Sequence, residues 1–256
     1  ETKAEVLVGR SEKMSKSKKN VVEPTSIIEN YGADTARLFM LSDSPPARDL
    51  EWSESGIDGC WRYINRIWRM ISYFEFDKEL IKNSQEPNFI NCNQSEQELI
   101  RLNHQTIEAV INEYQNNGFN RAIAKIRELS NAIEKLINES KSQQNIEYQR
   151  TILLSFKNLL LLISPITPHL SEELWEKLGN KNLIAEADLP KFDKELVSNN
   201  EVTIAIQVAS KLRSLIKVKQ DLDEETLKKQ ALECENVKKF IGNNIIKKTI
   251  IVPNKL

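Results

Sequence analysis

The chain has 256 residues, 40% of them hydrophobic, with 36 Lys or Arg against 37 Asp or Glu and a net charge of −1. That length suits one large or two modest domains, and no apolar run is long enough to span a membrane. Cys60, Cys92 and Cys234 are odd in number, scattered and without metal-ligand spacing, so neither a disulfide framework nor a metal site is suggested, which fits a reducing, cytoplasmic setting.

In chain order, Val6-Leu7-Val8 reads as a strand and Lys13-Met14-Ser15-Lys16-Ser17-Lys18-Lys19-Asn20 as a loop. Two ammonium groups three residues apart among small hydroxyls can clamp phosphates; a solvated linker or a weak import signal is the plainer alternative. A helix is expected from Pro24 to Gly32, and another from Asp34, read as its cap, to the stop at Pro45-Pro46. Ile57, Trp61, Ile64, Trp68 and Ile71 form an apolar stripe on a long helix, with Arg62, Arg66 and Arg69 on one face of the same helix.

A capping box from Ser95 to Glu98 predicts the next helix, carrying Leu99, Leu102, Val110 and Tyr114 inward. A third runs from about Asn120, and a fourth, apolar on most sides, spans Ile152 to Ile163. Thr167-Pro168 opens a fifth that closes at Gly179. Polar stretches at 77–94, 140–147 and 179–200 read as loops. From Glu201 the period becomes two: Val202, Ile204, Ile206 and Val208 on one strand, then Leu212, Ile216 and Val218 on a second, opposite Lys211, Arg213, Lys217 and Lys219. A helix capped by Asp223, a short helix to Gly242 and a closing strand from Thr249 to Val252 complete the tail. From Glu201 onward there are 11 Lys or Arg against 7 Asp or Glu, a modest basic footprint on an otherwise acidic body.

The fold class is therefore mainly α: a loop segment with short helices (1–53), an antiparallel helical bundle (54–190) and a small α+β module (200–256). The segment Lys13 to Ser17 resembles the KMSKS signature of class I aminoacyl-tRNA synthetases, and Tyr31 to Leu41 resembles the segment that follows it in the enzymes for large aliphatic amino acids. Ser44-Pro45-Pro46-Ala47-Arg48-Asp49-Leu50-Glu51-Trp52-Ser53-Glu54-Ser55-Gly56 resembles the leucyl enzymes in particular, as does Lys18-Lys19-Asn20, where valyl enzymes usually carry glycine before the asparagine.

The resemblance implies an anticodon-binding type of bundle, ATP with Mg2+, leucine and tRNA(Leu) as partners of the intact enzyme, no membrane, and a monomer. By the same resemblance Lys16, assisted by Lys13, contacts the ATP phosphates, and Met14, Ser15 and Ser17 complete the ATP-binding loop. Arg62, Arg66, Arg69, Lys211, Arg213, Lys217 and Lys219 are the expected tRNA contacts. His104 and His169 lie in no HIGH-type motif and are read as structural. Without that motif, and opening at Glu1 rather than methionine, the chain reads as a piece of a longer protein, inactive alone. Ala209-Ser210 stands where the family usually has Asn-Gly, and Asn254 replaces a glycine. A stand-alone RNA-binding module, or part of a valyl or isoleucyl synthetase, are the rival readings.

Overall fold

A proline at the first turn and a glycine just past the last one bound the first helix of the chain, α1 (Pro24–Tyr31). Gly32 takes φ 83° and turns directly into α2 (Ala33–Ser42). The computed structural model describes residues 12–83, 85–139, 145–198, 201–208, 211–219, 222–242, 246 and 249–251, with backbone alone at 78, 82, 201–203, 217, 219 and 235. The expected strand at Val6 to Val8, the Ala209-Ser210 turn and Asn254 lie outside the described residues.

Ser53 accepts from Gly56 N and starts α3 (Glu54–Ser72), which buries Ile57, Cys60, Tyr63, Ile67 and Ile71. Trp61, expected in this stripe, is instead 44% exposed. The buried face is centred on Tyr63 and Ile67, so a row drawn through Trp61 runs along its edge and out to solvent. A short helix, α4 (Lys78–Asn83), falls inside the stretch expected to be loop.

The cap of helix α5 (Gln94–Gln115) lies two residues before the expected Ser95, because Asn93 and Glu96 form the capping box and Glu96 is fully buried in doing so. Two overlapping pairs of box residues stand in the sequence, and the buried one prevails. Helices α6 (Phe119–Glu139) and α7 (Ile146–Ile163) follow. Asn145 caps α7 through Tyr148 N at 2.8 Å, well before Ile152. Leu159, Leu160, Leu162 and Ile163 are all fully buried, which places α7 at the centre of the bundle. Burying each such side chain contributes about 1.5–3 kcal/mol. Between α5 and α7, Asn103 Nδ2 donates to Ser155 Oγ at 2.8 Å, and Tyr114 Oη donates to Leu162 O at 2.6 Å; burial raises the Tyr114 phenol above its ordinary range. Helix α8 (Pro168–Lys177) ends at Gly179, φ 83°, and α9 (Lys194–Val197) lies against α5.

The chain divides into two units, Glu1–Val197 and Ser198–Leu256. In the second, β1 (Glu201–Val208) pairs antiparallel with β2 (Lys211–Lys219), and α10 (Glu224–Glu233) and α11 (Glu235–Ile241) follow. Asp223 caps α10 through Thr226 N at 2.9 Å. Ile206 faces Ser214 while Gln207 faces Leu212, so Arg213 is the extra residue of a β-bulge. Ile204, Val218 and Leu227 form the buried cluster of this unit. Thr249, Ile250 and Ile251 carry no strand structure, and Val252 lies outside the described residues.

Candidate functional site

Ser15 organises the lysine loop. Its hydroxyl accepts from Lys18 N at 3.3 Å and lies 3.2 Å from Ser17 Oγ, while its own N–H donates to Asn20 Oδ1 at 2.9 Å. These bonds shape a 3₁₀ turn over Lys16–Lys18. Lys19, at φ 52°, closes it in the left-handed region where glycine alone is unstrained. Lys18 Nζ is taken up by Glu12 Oε2 at 2.7 Å. Lys13 and Lys16 are exposed and form no ion pair among the described residues. The arrangement offers two mobile cations on a hydroxyl-rich loop, suited to an anion whose charge grows during reaction.

Further along the chain, α2 is locked to the bundle. The expected capping of α2 by Asp34 does not occur; its carboxylate caps α8, accepting from Leu170 N at 2.7 Å and lying 2.8 Å from His169 Nδ1. One turn on, Arg37 donates from Nε to Ile166 O at 3.0 Å and from Nη2 to Pro165 O at 2.7 Å. A single turn of α2 thus satisfies one amide at the start of α8 and two carbonyls just after α7, each with the charge that a helix end favours. Asp34 outcompetes Thr167, which makes no side-chain cap to α8 despite its position. His104 is also structural: its Nδ1 accepts from Asp193 N at 3.0 Å, and burial lowers its pKa below the ordinary 6.5, partly offset by Asp193 and Glu86.

The expected RNA-facing cations divide. Arg62 and Arg69 are exposed on α3, but Arg66 binds Glu134 of α6 through Nε at 3.0 Å and through Nη2. Trp61 joins Arg62 and Arg69 on the outer face, an aromatic that counting for the core concealed. In the second unit Lys211 is exposed, whereas the bulge turns Arg213 off the expected row and onto Phe240 of α11, 3.6 Å from the ring centroid. The same bulge leaves Leu212 57% exposed. The side chains of Lys217 and Lys219 lie outside those described. Among the described residues no cluster of His, Cys, Asp or Glu could hold a metal ion, and no helix is long and apolar enough to cross a membrane.

Residues 96–229 match the family model described as the anticodon-binding domain of tRNA ligase, and residues 3–53 match that of class I tRNA synthetases (I, L, M and V). The chain belongs to the tRNA ligase family. Its curated relatives include the leucine–tRNA ligases of Rhizorhabdus wittichii, 43% identical, and Paramagnetospirillum magneticum, 42% identical, each over 100% of this chain and 28% of the relative. The chain thus spans about 28% of the length of these ligases and aligns with their C-terminal part. Among solved structures, it is similar to one described as the ternary complex of Agrobacterium radiobacter K84 agnB2 LeuRS-tRNA-LeuAMS. The TM-score is 0.72 at 25% identity, covering 94% of this chain and 30% of that one. The leucyl resemblance of the lysine loop and of the Ser44 to Gly56 segment therefore extends across the whole length of this tRNA ligase sequence.

Proposed function

We propose that the chain is the portion of a leucyl-tRNA synthetase that supplies the ATP-phosphate loop and the tRNA-binding bundle. The observation that carries this reading is the pair of exposed lysines, Lys13 and Lys16, unpaired among the described residues, on a loop held by Ser15 and Asn20, in a chain whose relatives over its full length are leucine–tRNA ligases. In leucine activation the substrate carboxylate attacks the α-phosphorus of ATP; a new C–O–P bond forms, the bond to the β-phosphate oxygen breaks, and pyrophosphate leaves with its electron pair. Negative charge grows on the phosphates, and Lys16, with Lys13 beside it, neutralises it from a loop free to close and reopen. Mg2+ bound to ATP would share that charge; with no acidic cluster among the described residues, the phosphates themselves are its natural carrier here.

On the bundle, Arg62, Arg69 and the exposed Trp61 offer phosphate and stacking contacts to tRNA, and Lys211 extends the basic surface of the smaller unit. The intact parent is expected to charge tRNA(Leu) with leucine and to reject valine and isoleucine. Preferential charging with either of those two would replace the leucyl reading with one of its aliphatic relatives.

A further inference from the structure

A cleft of about 320 Å³ opens among α2, α3 and α6, with Ser42, Asp43, Gly59, Asn120 and Arg127 in its walls. Gly59 lies inside α3, where glycine costs about 1 kcal/mol relative to alanine. A Cβ built there meets nothing within 4 Å, whereas one on neighbouring Gly56 would come within 2.7 Å of the Phe39 ring. Packing among the described residues explains Gly56 and leaves Gly59 without an internal reason.

The opposite wall is polar and incompletely bonded. Arg127 lies over Tyr63, its guanidinium carbon 4.5 Å from the ring centroid, and its Nη2 lies 3.9 Å from Cys60 Sγ. Its Nε, and Oδ1 of Asn120, are buried without hydrogen-bond partners among the described residues. Each such orphan costs about 1–3 kcal/mol, a cost that a hydrogen-bonding ligand reaching it would relieve. Asp43 and Ser42 also line the cleft, the Asp43 carboxylate accepting from Ser44 Oγ at 3.0 Å and the Ser42 hydroxyl lying 3.8 Å from Cys60 Sγ. A ligand matching both walls carries an anionic oxygen and a hydroxyl donor, the combination present in every ribose–phosphate unit. Arg62, three residues beyond Gly59 on the same face of α3, is exposed, while the next turn's Arg66 is engaged by Glu134.

We propose that this cleft seats one ribose–phosphate unit of the tRNA backbone, the phosphate toward Arg127 and Arg62, the sugar hydroxyl toward Asp43 and Ser42, with Gly59 leaving the room. The proposal rests on the tRNA-binding reading above and deepens it by naming where the strand sits. The test is titration of the full chain with a leucine-accepting tRNA transcript at several salt concentrations. It compares wild type, Gly59→Met, which fills the cleft, and Arg127→Met, which keeps the aliphatic stem. Both variants are expected to bind about tenfold more weakly, with Arg127→Met also lowering the slope of log affinity against log salt by about 0.7–0.9, the loss of one phosphate contact. Gly59→Met should melt no lower than wild type, because methionine is the better helix former. Tight wild-type binding that both variants retain with an unaltered slope overturns the cleft alone. No salt-dependent binding by the wild type overturns the tRNA reading itself.

Discussion

The helical unit shares one buried apolar cluster that reaches from Leu38 on α2 through the whole of α7 to Ile184, while the Ser198–Leu256 unit rests on Ile204, Val218 and Leu227 with Ile216, Leu222 and Ile251 beside them. A truncation in the first unit removes one side chain among many; among the described residues of the second it removes one of a few. The same contrast governs their charges. In the helical unit Arg66 is drawn into an ion pair between helices, and in the small unit Arg213 is drawn onto an aromatic ring. Each of these two cations is engaged by a partner within its own unit.

Substitutions at three sites sharpen this comparison. Leu159→Ala, at a fully buried site in α7, should destabilise the helical unit by about 2–5 kcal/mol in urea melts monitored by helix signal. A smaller loss would mean that the bundle centre relaxes around the cavity. Val218→Ala removes two methyl groups' worth of burial, about 1.6 kcal/mol, yet should open the small unit to proteolysis while the helical unit stays protected. Simultaneous loss of both would make the two units one cooperative body. Asp34→Ala should cost about 1–2 kcal/mol by uncapping α8, and Asp34→Asn less, since the amide oxygen still accepts from Leu170 N. Equal effects of the two would assign the role to charge alone.

Much of the helical unit was legible because its signals are local. Pro24 with Gly32, Pro168 with Gly179, and the spacing of Ile123, Ile126, Leu129, Ile133 and Leu136 each act within a few residues. The turn of the lysine loop was not legible, since Lys19 closes it at φ 52°, a conformation its residue type does not announce. What else escaped depends on partners distant in sequence. Asp34 looks like a cap for its own helix until α8 arrives 136 residues later; Arg66 looks free until Glu134 is packed against it. Arg213 follows its strand's alternation until one extra residue shifts the register, a bulge that no run of residue types announces. The cleft at Gly59 was invisible because it needs three helices to form its walls.

The claim on which the functional account turns is that the exposed ammonium group of Lys16 neutralises charge on departing pyrophosphate. The direct measurement is leucine-dependent ATP–pyrophosphate exchange by the intact synthetase carrying Lys16→Ala, with its melting temperature as the control for folding. The account predicts an unchanged melt, since Lys16 is exposed and unpaired among the described residues, and exchange slowed by about 10²–10³-fold. Exchange at the unsubstituted rate would contradict it.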